Sequence, residues 1–365
     1  MIELVDFTPA LASQWDAVAA AAPHAWFWHT SAWMEWVTER MGETLVANRS
    51  FLVVDHGRPI AICPVLVEAT PEGRRFAYAG VPLPCPAVLA DVPPSVEARV
   101  LARYAAQLAE LAAKDGVDSA TIKVPSLAPG YIDGGRPFAN PFLRLGFFDV
   151  PYLTQVIDLR PPLATLWSAV RKGHRADINV ARRRCRSVVW DRTTVTSGKF
   201  RQYQELHAKD VGHVARSQRT FDLMEGWVQT GDAALVEVEC DGTPAAFALL
   251  LLYKGGAFYG SGCKDPDRAE LPSGHLAQWA SIEWLKANGY VHYDLGPQQF
   301  GPQWFAPATA KDVAIAAFKR GFGGVTVPLV TAERFYSRAV LKATLLRRLD
   351  DCLAAIDAAP AEEQA

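Results

Sequence analysis

Two segments of this chain, 185 residues apart, repeat the same pattern of apolar residues around a glycine. The first runs from Val53 as VVDHGRPIAICPVLV and the second from Glu237 as EVECDGTPAAFALLL, so that Gly57 aligns with Gly242. Each consists of an apolar run, a short turn and a second apolar run, which is the pattern of a β-hairpin. A repeat at this distance predicts two similar domains in tandem rather than one large core.

The flanks of the two hairpins repeat as well. Helical periodicity predicts two helices ahead of each hairpin and, after a third strand, one helix that leads into a further strand. The predicted helices are 11–22, 31–41, 95–114, 199–211, 221–230 and 273–288, and the strands after the last helix of each half are 117–124 and 291–295. We therefore expect an α/β fold with mixed sheets, with domains at 1–158 and 159–332 and a C-terminal helix and disordered tail at 333–365.

Composition and charge exclude several classes of function. Hydrophobic residues make up 50% of the chain, charged residues 21%, and the net charge is −2. Such a protein has no general attraction to nucleic acid or to anionic membranes. Glu3 and Asp6 stand where a signal peptide carries basic residues, and the longest apolar run, 245–253, is too short to span a bilayer. We expect a soluble, cytoplasmic protein, with any association at the inner face of the membrane made through a local patch.

The motif inventory favours direct group transfer. The six cysteines are scattered without a C-x-x-C pair, which favours free thiols over a zinc site or a disulfide framework. The chain has no G-x-x-x-x-G-K-[ST] loop, no H-E-x-x-H and no G-x-S-x-G motif. We therefore predict neither a metal site nor a covalent enzyme intermediate.

A strongly cationic segment follows the predicted domain boundary. Residues 171–186, RKGHRADINVARRRCR, contain seven Lys or Arg and one Asp, and their apolar residues can share one face of a helix. A solvated charged face is one explanation for this segment. Phosphate binding is the other, because arginine side chains match phosphate oxygens and the rest of the chain is slightly acidic.

Two further segments carry candidate chemistry. In HYDLGPQQF, 292–300, a strand ends in Asp294, which either orients a substrate amine and accepts its proton or caps a turn. His292 lies on the same strand face and is a minor candidate. In AAFKRGFGG, 316–324, Lys319 and Arg320 precede three glycines that allow a close approach of the backbone to a ligand, although an ordinary helix end has the same pattern.

Taken together, these segments resemble the FemAB-like branch of the GNAT acyltransferase superfamily. The resemblance rests on WSAVRKGHRADI at 167–178, AAFALLLLY at 245–253, IEWLKANGYVHYDLG at 282–296 and FKRGFGG at 318–324. It implies two tandem GNAT-like acyltransferase domains, with the active site in the second. It also implies an N-acyltransferase acting on an amino group of a cell-envelope polysaccharide, as in exopolysaccharide biosynthesis, or on its lipid-linked precursor.

The resemblance leaves the donor open. Family members tied to exopolysaccharides are thought to use acetyl-CoA, whereas those that build peptidoglycan bridges use aminoacyl-tRNA. The chain has no room for the long helical arm of the bridge enzymes, which favours acetyl-CoA. It also lacks the pattern R/Q-x-x-G-x-G/A before the central helix, where 268–275 reads RAELPSGH, but Ser273 and Gly274 still offer N–H groups at a helix start.

These considerations select a set of candidate site residues. Lys319 resembles a family lysine associated with the reacting or phosphate-bearing groups, Asp294 is the candidate base, and Tyr259 completes the catalytic set. The candidate substrate-binding residues lie in or next to the motifs above: Arg171, Lys172, His174, Arg175, Ser261, Ser273, Gly274, His275, Gln298, Arg320 and Phe322.

Two other functions are open at this stage. One is an amide-forming transferase that uses aminoacyl-tRNA and acts on a peptidoglycan precursor or a small molecule. The other is a non-catalytic effector that responds to cyclic di-GMP. The basic C-terminal segment 339–351, AVLKATLLRRLDD, either packs on the protein as an ordinary docking helix or contacts a partner, a membrane or a cyclic dinucleotide.

Overall fold

The computed structural model describes residues 2–135, 139–301, 303–305 and 308–357, and all statements about the structure refer to these residues. The helices are α1 (Ala12–Ala21), α2 (Ser31–Met41), α3 (Pro94–Asp115), α4 (Pro129–Ile132), α5 (Leu163–Ala169), α6 (Lys172–Arg182), α7 (Ser197–Val211), α8 (Gln218–Thr230), α9 (Ser273–Ala287), α10 (Ala310–Arg320) and α11 (Arg338–Asp357).

The strands fall into two groups along the chain. The first half has β1 (Ile2–Asp6), β2 (Leu45–Asn48), β3 (Phe51–Asp55), β4 (Arg58–Cys63), β5 (Leu66–Thr70), β6 (Gly73–Phe76), β7 (Leu83–Pro84), β8 (Ala87–Val88), β9 (Ser119–Lys123), β10 (Phe148–Asp149) and β11 (Tyr152–Asp158). The second has β12 (Cys185–Trp190), β13 (Ala233–Cys240), β14 (Thr243–Tyr253), β15 (Gly256–Lys264), β16 (His292–Gln298), β17 (Val325–Leu329) and β18 (Thr331–Phe335).

Both predicted hairpins form. β3 pairs with β4, and β13 pairs with β14, in each case antiparallel. The first half divides its strands between a four-stranded sheet, β1-β3-β4-β8, and a larger sheet of order β10-β18-β9-β6-β5-β2 with β7 on β9. The second half builds one seven-stranded sheet of order β12-β13-β14-β15-β16-β11-β17. The repeat is therefore clearest at the hairpins and weakest in the sheets built around them.

Two strands next to the predicted domain boundaries pair with the sheet of the other half. β11 lies in the segment assigned to the first domain, 1–158, but pairs with β16 and β17 of the second sheet. β18, which straddles the predicted boundary at residue 332, pairs with β9 and β10 of the first half. By sheet pairing, the second half begins at Tyr152 rather than after Asp158. The exchange of β11 and β18 joins the two halves through backbone hydrogen bonds.

The second sheet is covered on both faces. α5, α6 and α9 pack on one face around Ile178, Trp279 and Leu285. On the other face, α7 and α8 pack together with Trp26 and Phe27 of the first half. β14 is buried along nearly its whole length, as expected for a central strand with both faces covered. The sheet that carries the site is therefore held rigidly by helices of both halves.

The cysteine prediction is partly wrong. Cys185 and Cys240 face each other across β12 and β13, with Cα atoms 4.2 Å apart, and form a disulfide. The sequence could not indicate this pair because the two residues are 55 positions apart and meet only through strand register. Cys63, Cys85, Cys263 and Cys352 are free thiols, as predicted.

α11 forms the predicted C-terminal helix. Arg348 makes two hydrogen bonds of 2.7 Å to the carboxylate of Glu333 on β18, which attaches the helix to the first half. The predicted disordered tail beyond α11 falls on residues 358–365, outside the described residues. Of the helices described, none combines the length and the apolar character that crossing a membrane requires.

Candidate active site

The second sheet opens between two neighbouring strands. β15 and β16 are parallel and pair only from Gly256 with His292 to Phe258 with Asp294. Beyond this point β15 stays with β14, whereas β16 stays with β11. A cleft of about 870 Å³ lies beside the opening, with walls from the outer part of β15, the start of α9 and one face of α10. A cleft where strands part is a common place for ligands in α/β proteins.

Tyr259 lies on the cleft wall directly past the last paired residue of β15. The strand has a bulge here, because Gly260 is left over between Tyr259 and Ser261 in the pairing with β14. Gly262 is required for this arrangement, since a Cβ at that position would overlap the Tyr259 hydroxyl. Burial raises the pKa of Tyr259 to about 12, so the phenol stays protonated and can donate a proton.

Lys319, in the last turn of α10, also lines the cleft. Its ammonium lies against Gly296, where an added Cβ would be 3.0 Å from Lys319 Nζ. Burial lowers the pKa of Lys319, and the carboxylate of Asp294 opposes this shift. The cleft therefore holds a phenol donor and a partly desolvated amine among its lining residues.

Asp294 lies behind the cleft wall rather than on it. Its side chain is fully enclosed, and both carboxylate oxygens accept hydrogen bonds: Oδ1 from Thr154 Oγ1 at 2.6 Å and from the Gly296 amide at 2.7 Å, and Oδ2 from Ser126 Oγ. Burial raises the pKa of Asp294, whereas these hydrogen bonds and the nearby Lys123 lower it. The sequence predicted that Asp294 contacts a substrate amine directly. The geometry does not favour this role, because the side chain is enclosed and both carboxylate oxygens already accept hydrogen bonds.

The start of α9 forms one end of the cleft. Gly274 and His275 line it, whereas the Ser273 side chain is buried and donates to the carbonyl of Ala245 at 3.2 Å. Burial lowers the pKa of His275 to about 4, so the imidazole is neutral at physiological pH. Lys264 and Lys311 also lie on the wall, and a helix start beside two lysines is a favourable site for phosphate.

Carboxylates line the same cleft: Asp177, Asp210 and Glu270. Asp210 accepts a hydrogen bond from the Lys264 amide at 3.2 Å. It is close enough to Tyr259 to contribute to the raised pKa of that phenol. Asp177 and Glu270 lie within quoted segments, 171–186 and 268–275, but none of the three was selected as a candidate site residue, because isolated acidic residues carry no recognisable spacing.

The cationic segment is mainly structural. Arg175 donates to the carbonyls of Trp167 and Ser168, while further along Arg182 pairs with Glu283, Arg184 with Asp241 and Arg186 with Glu239. Lys172 is exposed and points to no acidic partner among the described residues. Only Arg171 approaches the cleft, through a 3.1 Å contact with Nδ1 of His174. The phosphate-binding prediction therefore applies to one end of the segment.

His174 is a buried connecting residue rather than a ligand-facing one. It is 1% exposed, and its Nε2 lies 2.9 Å from the carbonyl of Phe318 on α10. Its ring packs against His275 and Phe322. Phe322, also predicted to bind substrate, is buried in the core of the second sheet and cannot touch a ligand in this conformation.

The glycines after Arg320 serve close packing within the protein. A Cβ at Gly321 would overlap the His174 ring, and one at Gly324 would overlap the carbonyl of Val156 on β11. Gly324 also has a φ of +78°, which disfavours other residues. These glycines were expected to bring the backbone close to a ligand, but they bring it close to α6 and β11 instead. This packing positions the end of α10 and with it Lys319.

Four further predicted residues, Gln298, Arg320, Ser261 and His292, lie away from the cleft. Arg320 donates to the side-chain carbonyl of Gln298 at 3.0 Å and stacks on Phe300, with 4.1 Å between the guanidinium and the ring centre. Ser261 is half-buried on β15 and is not part of the cleft wall. His292 forms a 3.1 Å contact with Asp133 of the first half, in keeping with a structural role.

One cluster has the composition of a metal site. The side chains of His174, Asp177 and His275 converge at the cleft rim, with candidate ligand atoms within 4.8 Å of one another. Both ring nitrogens of His174 already have protein partners, the Phe318 carbonyl and the Arg171 guanidinium. A guanidinium at the nitrogen that would bind a cation opposes such binding, so the cluster fits a hydrogen-bonded link between α6, α9 and α10 better.

A family model matches the part of the chain that carries most of this geometry. Residues 165–306, which include β12 to β16 and Tyr259, match the model of the GNAT acetyltransferase domain. No curated protein matches the sequence significantly.

Solved structures resemble the chain over nearly its full length. FemX superposes with a TM-score of 0.64 at 13% identity, covering 93% of this chain and 99% of FemX. L-PGS from Bacillus licheniformis superposes with a TM-score of 0.59 at 12% identity, covering 94% and 98%. A tandem GNAT protein from the clavulanic acid biosynthesis pathway has a TM-score of 0.50 at 14% identity, covering 92% and 99%. At such identities the likeness concerns the fold.

The predicted fold class is thus confirmed, and part of the second predicted domain matches a GNAT domain. The hairpin repeat corresponds to two GNAT-like units, and the cleft lies within the segment that matches the GNAT model. Residues 165–306 thus match the GNAT acetyltransferase domain, and the fold of the whole chain is similar to the folds of FemX and of the tandem GNAT protein.

Proposed function

We propose that the protein is an acetyl-CoA-dependent N-acetyltransferase that modifies an amino group of a cell-envelope polysaccharide or its lipid-linked precursor. The observation that carries this proposal is the cleft at the opening between β15 and β16. It brings a phenol, a buried lysine and a helix N-terminus together in a space of about 870 Å³. That space suits an elongated donor with an acyl group at one end and phosphates at the other.

The phosphate end of the donor is assigned to the start of α9. The helix dipole and the first-turn N–H group of Gly274 favour an anion there. Lys264 and Lys311 on the cleft wall add positive charge, and Arg171 lies next to His174 at the rim. Arginine and lysine together can neutralise a pyrophosphate without the glycine-rich loop that the sequence lacks.

The acyl end is assigned to the region between Tyr259 and Lys319. The acceptor nitrogen attacks the thioester carbonyl carbon, the C–N bond forms, and the carbon–sulfur bond breaks. The departing sulfur takes a proton from Tyr259, whose raised pKa of about 12 keeps that proton available, and the proton that the acceptor nitrogen loses returns to the Tyr259 phenolate directly or through water. Lys319 and backbone N–H groups at the bulged edge of β15 stabilise the oxyanion formed on the way.

Asp294 acts in this scheme as a positioning residue. Its carboxylate is held by Thr154, Ser126 and the Gly296 amide, and it favours the charged form of the neighbouring Lys319. Ser126 belongs to the first half and Thr154 to the exchanged strand β11. The geometry of Lys319 thus depends on contacts between the two halves.

An aminoacyl donor is the second candidate. The cleft carries Asp210 and Glu270 as well as lysines, and a carboxylate near Tyr259 can hold the α-ammonium group that an aminoacyl donor has and an acetyl donor lacks. The acceptor class is the same for both donors. The third function, a cyclic di-GMP effector, stays a prediction, and Arg348 of its basic segment is already paired with Glu333.

The donor is tested with the purified full chain. We expect acetyl-CoA to raise the melting temperature, and radiolabel from acetyl-CoA to reach a glucosamine-bearing oligosaccharide. Charged tRNA and cyclic di-GMP are run beside it. Stabilisation and transfer with charged tRNA alone would replace the acetyl donor by the aminoacyl one. Stabilisation by cyclic di-GMP without transfer from either donor would contradict the proposal.

A further inference from the structure

α11 carries a row of exposed apolar side chains that nothing in the described chain covers. Leu345, Leu346, Leu349, Leu353 and Ile356, which we call the α11 stripe, are between 41% and 63% exposed. Their spacing places them within about 100° of the helix circumference and along about 16 Å of its length. Large apolar side chains are rarely left exposed in such a continuous row on a soluble surface.

The stripe faces away from the protein because the opposite side of α11 is docked. Val340, Thr344, Arg348 and Ala355 lie on that inner side and are half-buried. The paired Arg348 and Glu333, 11% and 10% exposed at their side chains, fix the rotation of the helix. The outward direction of the stripe therefore follows from the fold and does not depend on a flexible attachment.

Positive charge extends the stripe toward the start of the helix. Arg338 and Lys342 are exposed, lie on the same side of α11 as the leucines, and form no ion pair with any residue of the described chain. Asp350 borders one edge of the stripe but does not interrupt it. An outward helix face with leucines and free cations in one row is typical of helices that lie on an anionic lipid surface.

A second copy of the chain fits this surface less well. An antiparallel pair that matches Leu346 with Ile356 and Leu349 with Leu353 brings the Asp350 carboxylates of both copies together. A parallel pair instead places each Lys342 beside the same residue of the other copy. Both arrangements put like charges side by side, whereas an anionic bilayer accepts the cations and the leucines together.

We propose that the α11 stripe binds the surface of an anionic lipid bilayer. The leucines enter the boundary between headgroups and acyl chains, and Arg338 and Lys342 contact the headgroup phosphates. This inference stands on α11 alone and does not require the proposed acetyl transfer. If both hold, the cleft works next to the membrane at which a lipid-linked acceptor resides.

Co-sedimentation of the full chain with vesicles tests the proposal. We expect binding to phosphatidylcholine vesicles that contain phosphatidylglycerol, weaker binding to pure phosphatidylcholine, and loss of binding as salt is raised. The double variant Leu349→Glu/Leu353→Glu should bind at least about tenfold less. Val214→Glu, at an even more exposed apolar residue outside α11, should bind like the unmodified chain.

Two results would overturn the proposal. One is the absence of vesicle binding by the unmodified chain at low salt. The other is a dimer, seen by light scattering, that the Leu349→Glu/Leu353→Glu variant loses while vesicle binding is absent, because this would assign the stripe to a second copy. Circular dichroism melting confirms that each variant is folded, and substitution of exposed side chains on an outer helix face should leave it so.

Discussion

The ammonium of Lys319 lies directly against the α-carbon of Gly296, at a point where a Cβ would be 3.0 Å from it. Gly296 has a φ of +91°, so the bulge of β16 after Asp294 also requires glycine conformationally. Gly296→Ala should therefore displace Lys319 and lower turnover at least about tenfold. It should also reduce the free energy of unfolding by about 1 kcal/mol through backbone strain.

Gly289→Ala is the matched control for this variant. Gly289 has a φ of +78°, but an added Cβ meets nothing within 4 Å. Both variants should lose similar stability in urea unfolding, and only Gly296→Ala should lose turnover. Equal turnover in the two variants would show that the contact between Gly296 and Lys319 does not matter for the reaction.

Removal of the amine itself gives the direct test of Lys319. Lys319→Ala should lower kcat at least about tenfold, because one stabilising group for the oxyanion is lost. The melting temperature should not fall, since burial lowers the pKa of Lys319 and this desolvation is relieved. Lys114→Ala, at an exposed lysine of α3, serves as control, and unchanged kcat in Lys319→Ala would remove this lysine from the mechanism.

Tyr259→Phe separates the proton donor from the shape of the cleft. The ring stays the same, whereas the proton offered to the leaving sulfur is lost, so kcat should fall about a hundredfold with KM for the donor nearly unchanged. Tyr290→Phe, on the second domain but stacked on Trp284 away from the cleft, should keep full activity. A Tyr259→Phe enzyme with normal kcat would assign the proton to another group.

Reduction of the Cys185–Cys240 disulfide should destabilise the chain. It closes a loop with a sequence separation of 55 residues, and a cross-link of this kind contributes about 2–4 kcal/mol to the free energy of unfolding. The melting temperature should fall when dithiothreitol is added to the unmodified chain. The variant Cys185→Ser/Cys240→Ser should melt at the lower temperature with or without dithiothreitol, and a drop on reduction in this variant would point to another cause.

His29 should make the fold sensitive to acid. It is fully buried, its Nε2 lies 2.7 Å from the carbonyl of Cys85, and burial lowers its pKa to about 4. Because the unfolded chain protonates His29 near pH 6.5, its contribution is complete above about pH 6.5 and is lost as the pH falls toward about 4. The free energy of unfolding should therefore drop by about 2 kcal/mol between about pH 7 and pH 5 from this residue.

Urea unfolding at both pH values measures this dependence. His29→Gln should show a smaller drop than the unmodified chain, and His56→Gln, at an exposed histidine, should show the same drop as the unmodified chain. His207 and His275, whose pKa values burial also lowers to about 4, contribute in the same direction. A pH dependence unaffected by His29→Gln would mean that His29 does not titrate on unfolding.

Local patterns were sufficient for the elements of the fold. α2 has the bounds that the periodicity predicts, 31–41, and both hairpins form around Gly57 and Gly242. Turn residues and apolar periodicity act over a few positions, so they can be read without knowledge of the partners. The same local patterns located Tyr259, Gly274, His275 and Lys319, which all line one cleft.

The sequence did not predict which residues far apart in the chain pair with each other. The exchange of β11 and β18 between the halves, the Cys185–Cys240 bond and the Ser126–Asp294 contact each join residues far apart in the chain. Hydrogen-bond donors and acceptors of strands are the same for many possible partners, so only global packing selects among them. For the same reason, Gly321, Gly323 and Gly324 indicated a close approach of the backbone to a ligand but instead pack against α6, α5 and β11.

The amino-acid sequence by itself determined two GNAT-like units and the chemical groups available to the second one, because periodicity and motif composition are local properties. Only the tertiary structure decided that Lys319 and Tyr259 line the same cleft, that Asp294 is enclosed behind them, and that the leucines of α11 point outward. Burial and direction depend on what packs against a residue, and that is set by the whole chain.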